Sequence, residues 1–269
     1  MQIIIFTDLD GTLLNHDDYS FEEARPSLER IKRNRIPLVI TTSKTRAEVE
    51  LIQRELGIEE PFIVENGAAV FFPLGYPGVD ATLCEIEPPY ALIKIGRPYA
   101  EIRAFVQRAG AAFEIRGFGD LTSYEVARLA GMSLEKARLA KEREFSEPFL
   151  IPHGVDVQTL QDLTRREGMK ILKGGRFHHL VGMHQDKGEA VRIARKLLSG
   201  YHGDPVTTVG LGDSPNDEPM LREVDVPVLI PLPDGSYENI NLPGLRKATF
   251  PGSKGWQESV ERLLDEVGA

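Results

Sequence analysis

The chain has 269 residues, a length for one large domain or two modest ones. Its 32 Lys and Arg stand against 41 Asp and Glu, a net charge of −9 with no basic block, which excludes sequence-independent nucleic-acid binding and attachment to an anionic membrane surface. Apolar residues at 41%, with 25 Gly and 18 Pro, make the mixture of a globular chain that can bury a core.

Gln2–Thr7 is an apolar, β-branched run, as expected of a strand buried on both faces of a parallel sheet. Acidic residues arrive at Asp8 with no basic stretch before them, so no secretory leader is expected. The apolar runs, such as Ile36–Ile40, are too short to span a bilayer, and the lone Cys84 can form no internal disulfide. A cytoplasmic chain follows as the expectation. Ser20 with Glu23 predicts a capping box that opens a helix over Phe21–Asn34, and Ile36–Thr42 predicts a second strand. Thr45 with Glu48 opens another helix that stops at Gly57, and Pro61–Glu65 reads as a third strand. This is the alternation of a doubly wound, mostly parallel α/β sheet of Rossmann-like type.

The rhythm breaks after Gly67. Strand candidates Thr82–Glu87, Ala91–Ile95, Ala112–Arg116 and Phe149–Ile151 are interspersed with helices at Tyr99–Ala109, Thr122–Ala130, Ser133–Glu142 and Val155–Glu167. Met169–Lys173 and Arg176–Val181 flank Gly174-Gly175 as a hairpin. The α/β alternation resumes with a helix at Lys187–Leu198, strands at Val206–Leu211 and Val226–Ile230 around a short helix near Glu218–Arg222, and a helix at Trp256–Val267. The expected division is a core of residues 1–81 and 183–269, with an α+β cap inserted at 82–182.

Four features fall at strand–helix junctions of the core, where open α/β sheets bind ligands. Asp8 and Asp10, two apart at a strand end, point to one side. Their mutual repulsion calls for a cation or a proton between them, and hard oxygen donors suit Mg²⁺. Thr42 and Ser43 precede a helix and offer hydroxyls to phosphate oxygens, although capping explains Ser43 as well. Lys187 opens a helix, where the dipole opposes a cation unless an anion is near. Asp213, Asn216 and Asp217 crowd the end of another strand, as metal ligands or as groups that orient them. Each alone has a plain local explanation; all four together close one site.

With these motifs the chain resembles the haloacid dehalogenase-like hydrolase superfamily. The resemblance implies Asp8 as nucleophile, Asp10 as general acid and base, Thr42 as phosphoryl-binding hydroxyl and Lys187 as the lysine that steadies nucleophile and phosphate. It further implies Asp8, Asp10, Asp213 and Asp217 around Mg²⁺, and the second Asp implies phosphatase or phosphomutase chemistry through an aspartyl phosphate. Thr42–Arg46, Glu65–Gly67, Arg143–Phe149 and Gly174–Leu180 extend the similarity across most of the chain, to the mannosyl-3-phosphoglycerate phosphatases. The substrate so implied is a small phosphorylated sugar-glycerate, and the product mannosylglycerate, a compatible solute. The glucosyl ester, a broader sugar-phosphate phosphatase and a binding protein without turnover are the alternatives; the intact Asp8, Asp10 and Lys187 argue against the last.

For such an anionic substrate, Arg176 offers a bidentate partner, Lys44 and Arg46 flank the phosphate site and could read a carboxylate, and Asn66 and Asn216 could bond its oxygens. His178 and His179 are adjacent on a strand and face opposite ways, so one would contact sugar hydroxyls and the other be structural; His178 is the candidate. Arg143 and Glu144 read as a surface pair, and Trp256 as core packing.

Overall fold

The structure, a computed structural model, describes residues 2–151, 154–174, 177–199 and 206–268. The first strand, β1 (Gln2–Thr7), is followed by α1 (Arg25–Asn34), β2 (Leu38–Thr41), α2 (Arg46–Leu56), β3 (Phe62–Val64), β4 (Ala69–Pro73), β5 (Glu85–Glu87) and β6 (Tyr90–Lys94). A second group comprises α3 (Tyr99–Phe113), β7 (Arg116–Gly117), α4 (Ser123–Ala130), α5 (Leu134–Ala140), β8 (Glu147–Leu150), α6 (Val157–Arg166), β9 (Met169–Lys173) and β10 (His178–Gly182). The chain then returns through α7 (Lys187–Ser199), β11 (Val206–Gly212), α8 (Glu218–Glu223), β12 (Val226–Leu229), β13 (Arg246–Lys247) and α9 (Gly252–Val267).

Nine strands of the described residues form one sheet in the order β13-β12-β11-β1-β2-β3-β4-β6-β5. The six from β13 to β3 are parallel, and β4, β6 and β5 extend them in antiparallel fashion. β1 is central, and its side chains serve both faces. Ile3 and Ile5 pack with Leu28 and Ile31 of α1 and Trp256 and Val260 of α9, while Ile4 and Phe6 pack with Ala190, Val191 and Ala194 of α7 and Met220 of α8. Burial on both faces is the reason the first strand lacks polar alternation. β1 also has β2 on one side and β11 on the other, the point at which chain direction across the sheet reverses and where such sheets bind ligands.

Four strands, β7-β8-β10-β9, form a second, antiparallel sheet. Phe105 and Val106 of α3 and Leu160 of α6 cover one face of it, against Phe149, Met169 and Leu180. The expected hairpin pairing is present as β9–β10, but with Lys173 opposite His178 the second strand begins at His178 rather than Arg176, and Gly175 and Arg176 lie outside the described residues.

Several expectations need correction. β5 and β6, assigned from sequence to the inserted module, belong to the nine-stranded sheet, because β4 turns back on β3 and presents an edge that β6 completes. The crossing into the second sheet therefore falls after Lys94. The Ala112–Arg116 strand is shorter, at Arg116–Gly117, since α3 continues through Phe113. The Ser20–Glu23 box does not form; Glu22–Ala24 is a 3₁₀ turn, and the α-helix begins at Arg25 with Pro26 in its first turn, where a missing N–H costs no bond. Glu23 instead accepts from the Ser253 hydroxyl at 3.2 Å. Among the described residues, no helix is long and apolar enough to cross a membrane.

Candidate active site

The carboxyl end of β1 is held by a relay from the core. The buried Trp256 indole donates to Thr7 Oγ1 at 3.0 Å, and the Thr7 hydroxyl donates to the Asp8 carbonyl at 2.7 Å. The chain then turns through Gly11, whose φ of +81° suits glycine. A Cβ there would stand 2.6 Å from Asp213 Oδ2, so glycine is also what lets the β1 and β11 loops approach. Thr12 crosses the same gap and donates to Asp213 Oδ1 at 3.1 Å.

Asp8, Asp213 and Asp217 bring carboxylate oxygens within 4.8 Å of one another, all buried. Lys187, fully buried at the start of α7, donates to Asp8 Oδ1 and Asp217 Oδ1, each at 2.6 Å. The anion that its place on the helix required is thus a pair of carboxylates. The other Asp217 oxygen accepts from the backbone N–H of Asp213 and Ser214, both at 3.1 Å. Burial, and then the neighbouring Asp217, lift the Asp8 carboxyl to about 7 against the pull of Lys187. Burial and Asp217 likewise raise Asp213 well above the carboxylate range. Burial depresses the Lys187 ammonium, but Asp217 and Asp8 outweigh it and hold the group charged. Three carboxylates against one lysine leave excess negative charge in a buried, all-oxygen donor set, which fits a hard divalent cation.

Asp10 stands apart from this group. Its Oδ2 pairs with Lys44 Nζ at 2.8 Å, while its Oδ1 is buried without a hydrogen-bond partner among the described residues. Lys44 is also 3.9 Å from Glu48 and 5.3 Å from the centre of the Tyr19 ring. Thr42 is buried at the end of β2, its Oγ1 accepting from the Lys44 N–H at 3.2 Å. The β3 end closes against this loop through Glu65 N–H to Lys44 O and Asn66 N–H to Thr42 O, both 2.9 Å.

A cavity of about 170 Å³ opens over Asp8, Asp10, Ser43, Lys44, Asp213 and Asn216. Asn216 borders it and donates to Asn66 Oδ1 at 2.9 Å, which holds Asn66 beneath. Arg46 is not part of this wall; its Nε pairs with Glu144 at 3.0 Å and its guanidinium covers the Phe71 ring. His178 is not part of it either. It shares a face of β10 with Leu180 and lies 6.0 Å from the Phe149 ring, on the side covered by helices. His179, one residue on, takes the opposite face and borders the cavity beside Pro148. The alternation was legible in the sequence; which parity faced inward required the sheet. Arg176 lies outside the described residues.

Arg143 was missed as a site residue. It borders the cavity from the second module, donates to Ser43 O at 2.8 Å and to Ala140 O at 2.9 Å, and is nearly buried. Its segment is gripped from the core, because the buried Glu65 carboxylate accepts from Glu144 N–H at 2.8 Å, Phe145 N–H at 3.2 Å and Ser146 Oγ at 2.6 Å. The Glu65 carbonyl accepts from Gln185 Nε2 at 2.6 Å, on the strand's return to the core. Only the proximity of Arg143 to that acidic and hydroxyl-rich run could have marked it.

Residues 5–76 match the family described as haloacid dehalogenase-like hydrolase. A glucosyl-3-phosphoglycerate/mannosyl-3-phosphoglycerate phosphatase of Persephonella marina is 59% identical over 98% of both chains. A mannosyl-3-phosphoglycerate phosphatase of Pyrococcus furiosus is 34% identical over 84% of this chain and 90% of its own. Among solved structures, a Thermoplasma acidophilum protein superposes with a TM-score of 0.71 at 18% identity, over 100% of this chain and 99% of that one, a likeness of fold.

Proposed function

The chain belongs to the haloacid dehalogenase-like hydrolases and, within them, to the mannosyl-3-phosphoglycerate phosphatase family, and on that premise we propose that it removes the 3-phosphate of mannosyl-3-phosphoglycerate in the cytoplasm, releasing mannosylglycerate and phosphate. The observation that carries this reading is the Asp8–Lys187–Asp217 arrangement under a cavity that Asp10 also borders. The glucosyl ester is a second substrate, favoured by the double name of the 59% identical relative.

In this reading Asp8 attacks phosphorus and forms an aspartyl phosphate, while the leaving glycerate oxygen takes a proton from Asp10. Asp10, now ionised, then removes a proton from the water that attacks the aspartyl phosphate, and free phosphate and the starting Asp8 result. Lys187 holds one Asp8 oxygen in a fixed direction, so the other is the one presented to the substrate. Lys44, paired with Asp10, keeps that carboxyl beside the scissile bond. The Thr42 and Ser43 hydroxyls bind phosphoryl oxygens, with Asn66 and Asn216 behind them. Arg143, Lys44 and Arg176 supply positive charge for the glycerate carboxylate. Asp8, Asp213 and Asp217 are the residues that would hold Mg²⁺, which when bound would neutralise charge on the phosphoryl oxygens. The inserted module covers the cavity as a cap and excludes water.

Phosphate release by the purified protein tests the proposal, on a panel of mannosyl- and glucosyl-3-phosphoglycerate, 3-phosphoglycerate and mannose 6-phosphate, with Mg²⁺ and after chelation. Selective hydrolysis of the glycosyl esters, lost on chelation and reduced by roughly 10³-fold or more in Asp8→Asn, is expected. Equal rates across the panel refute the substrate; an active Asp8→Asn refutes the nucleophile.

A further inference from the structure

We propose that His179 is the residue through which the cap recognises a sugar hydroxyl, so that it sets selectivity for glycosyl esters over unglycosylated phosphates. This rests on the phosphatase reading above and deepens it.

The residue is only 7% exposed, and that side borders the cavity. Its Nδ1 is buried and has no hydrogen-bond partner among the described residues. A buried polar atom left unpaired costs about 1–3 kcal/mol. The Nδ1 of His178 on the opposite face is likewise buried and unpaired among the described residues, so what sets His179 apart is that its exposed edge borders the cavity, where a ligand can bring the partner. Among the described residues the rest of the surrounding cap wall is apolar, since Phe118, Ala130, Met132, Ala140, Pro148 and Phe177 carry no polar side-chain group. Arg143 and His179 are the polar exceptions on that side among the described residues.

The two differ in charge. Burial, with the Arg143 guanidinium beside it, pushes the His179 imidazole down to about 3, so it is neutral across the physiological range. A neutral imidazole has one donor and one acceptor nitrogen, which matches a hydroxyl, itself donor and acceptor. The anionic parts of the substrate have Lys187, Lys44, Arg143 and Arg176 for partners in that reading; the sugar is uncharged and presents hydroxyls and ether oxygens. Gly174 completes the site. A Cβ there would sit 3.1 Å from His179 Nε2, so the glycine keeps open the approach to the second ring nitrogen.

The test measures kcat/KM of the full chain and of His179→Phe and His179→Gln on mannosyl- and glucosyl-3-phosphoglycerate, 3-phosphoglycerate and p-nitrophenyl phosphate. His179→Phe should lose roughly ten- to a hundredfold on the glycosyl esters and keep its rates on the other two. The Gln variant, which retains a donor and an acceptor, should show a smaller loss confined to the same esters, and it carries the test if the Phe variant does not fold. A parallel loss on all four compounds, or no loss on the glycosyl esters, overturns the proposal. A wild-type protein that hydrolyses neither glycosyl ester refutes the substrate reading first, and this inference with it.

Discussion

Replacing Lys187 by Met removes the cation that Asp8 and Asp217 share while filling nearly the same volume. The ammonium is fully buried and makes both 2.6 Å bonds, so two carboxylates lose their partner and a third remains within 4.8 Å of them. Breaking a buried ion pair by deleting one member costs about 3–5 kcal/mol. For a domain of this size that corresponds to a fall of roughly 10 °C in melting temperature. The deficit should depend on pH. The Asp8 carboxyl is already lifted to about 7 with Lys187 present, and loss of that cation lifts it further. A carboxyl whose folded pKa lies above its unfolded value retains its stability at low pH and loses it as pH rises through the folded value. Thermal melts at pH 5 and pH 8 should therefore show a small difference between variant and wild type at the lower pH and the full one at the higher. Added Mg²⁺ should restore the variant more than it raises the wild type, because the ion supplies the missing positive charge. Equal melting temperatures at pH 8, or a deficit independent of pH, would refute the account of Lys187 as the counter-charge of the cluster.

Glu60 gives a second pH effect far from the active site. Its carboxyl is raised to about 7 by burial, against the Tyr76 hydroxyl that donates to it, so the folded chain gains stability below about pH 4.5 that is lost as pH rises through 7. Glu60→Gln keeps the acceptor for Tyr76 and should stabilise the protein at pH 8 by about 2 kcal/mol, discounted for partial solvent access, with little effect at pH 4.5. Urea denaturation at both values decides it, and equal shifts would contradict the assignment. Glu65→Ala leaves two N–H groups and a hydroxyl without their acceptor, so amide exchange at Glu144 and Phe145 should accelerate by roughly a hundredfold while β1 and β2 exchange as before. Unaltered exchange at those two amides would show that Glu65 does not hold the cap segment.

The alternation of strands and helices around β1 was legible because burial on both faces leaves uninterrupted apolar runs. The strand-end acidic residues were legible because several such motifs, each with a plain local explanation of its own, fall at junctions of the same sheet. Other features depended on pairings that no local pattern carries. β5 and β6 read as cap strands because strands of three and five residues carry no periodicity that tells one sheet from another; only the edge offered by β4 decides. The Ser20–Glu23 signal competed with Pro26 and with the Ser253 hydroxyl across the fold, and the distant partner prevailed. Arg46 reads with Lys44 and Ser43 as part of the phosphate loop, but it occupies the first turn of α2 and pairs with Glu144. Adjacent histidines told of opposite faces without telling which face is covered by α3 and α6.

The position of β1 between β2 and β11 has a consequence for biosynthesis. Asp8 leaves the ribosome 179 residues ahead of Lys187, and Thr12 is 201 residues ahead of the Asp213 it bonds. While the chain is being made, β1 can pair along one edge only, and its other edge waits for β11 across the whole cap. The cap sheet, by contrast, closes entirely within residues 116–182 and can condense earlier. Reactive carboxylates and their lysine are thus brought together only once β11 has arrived, and no chain that stops short of Asp217 carries the assembled site.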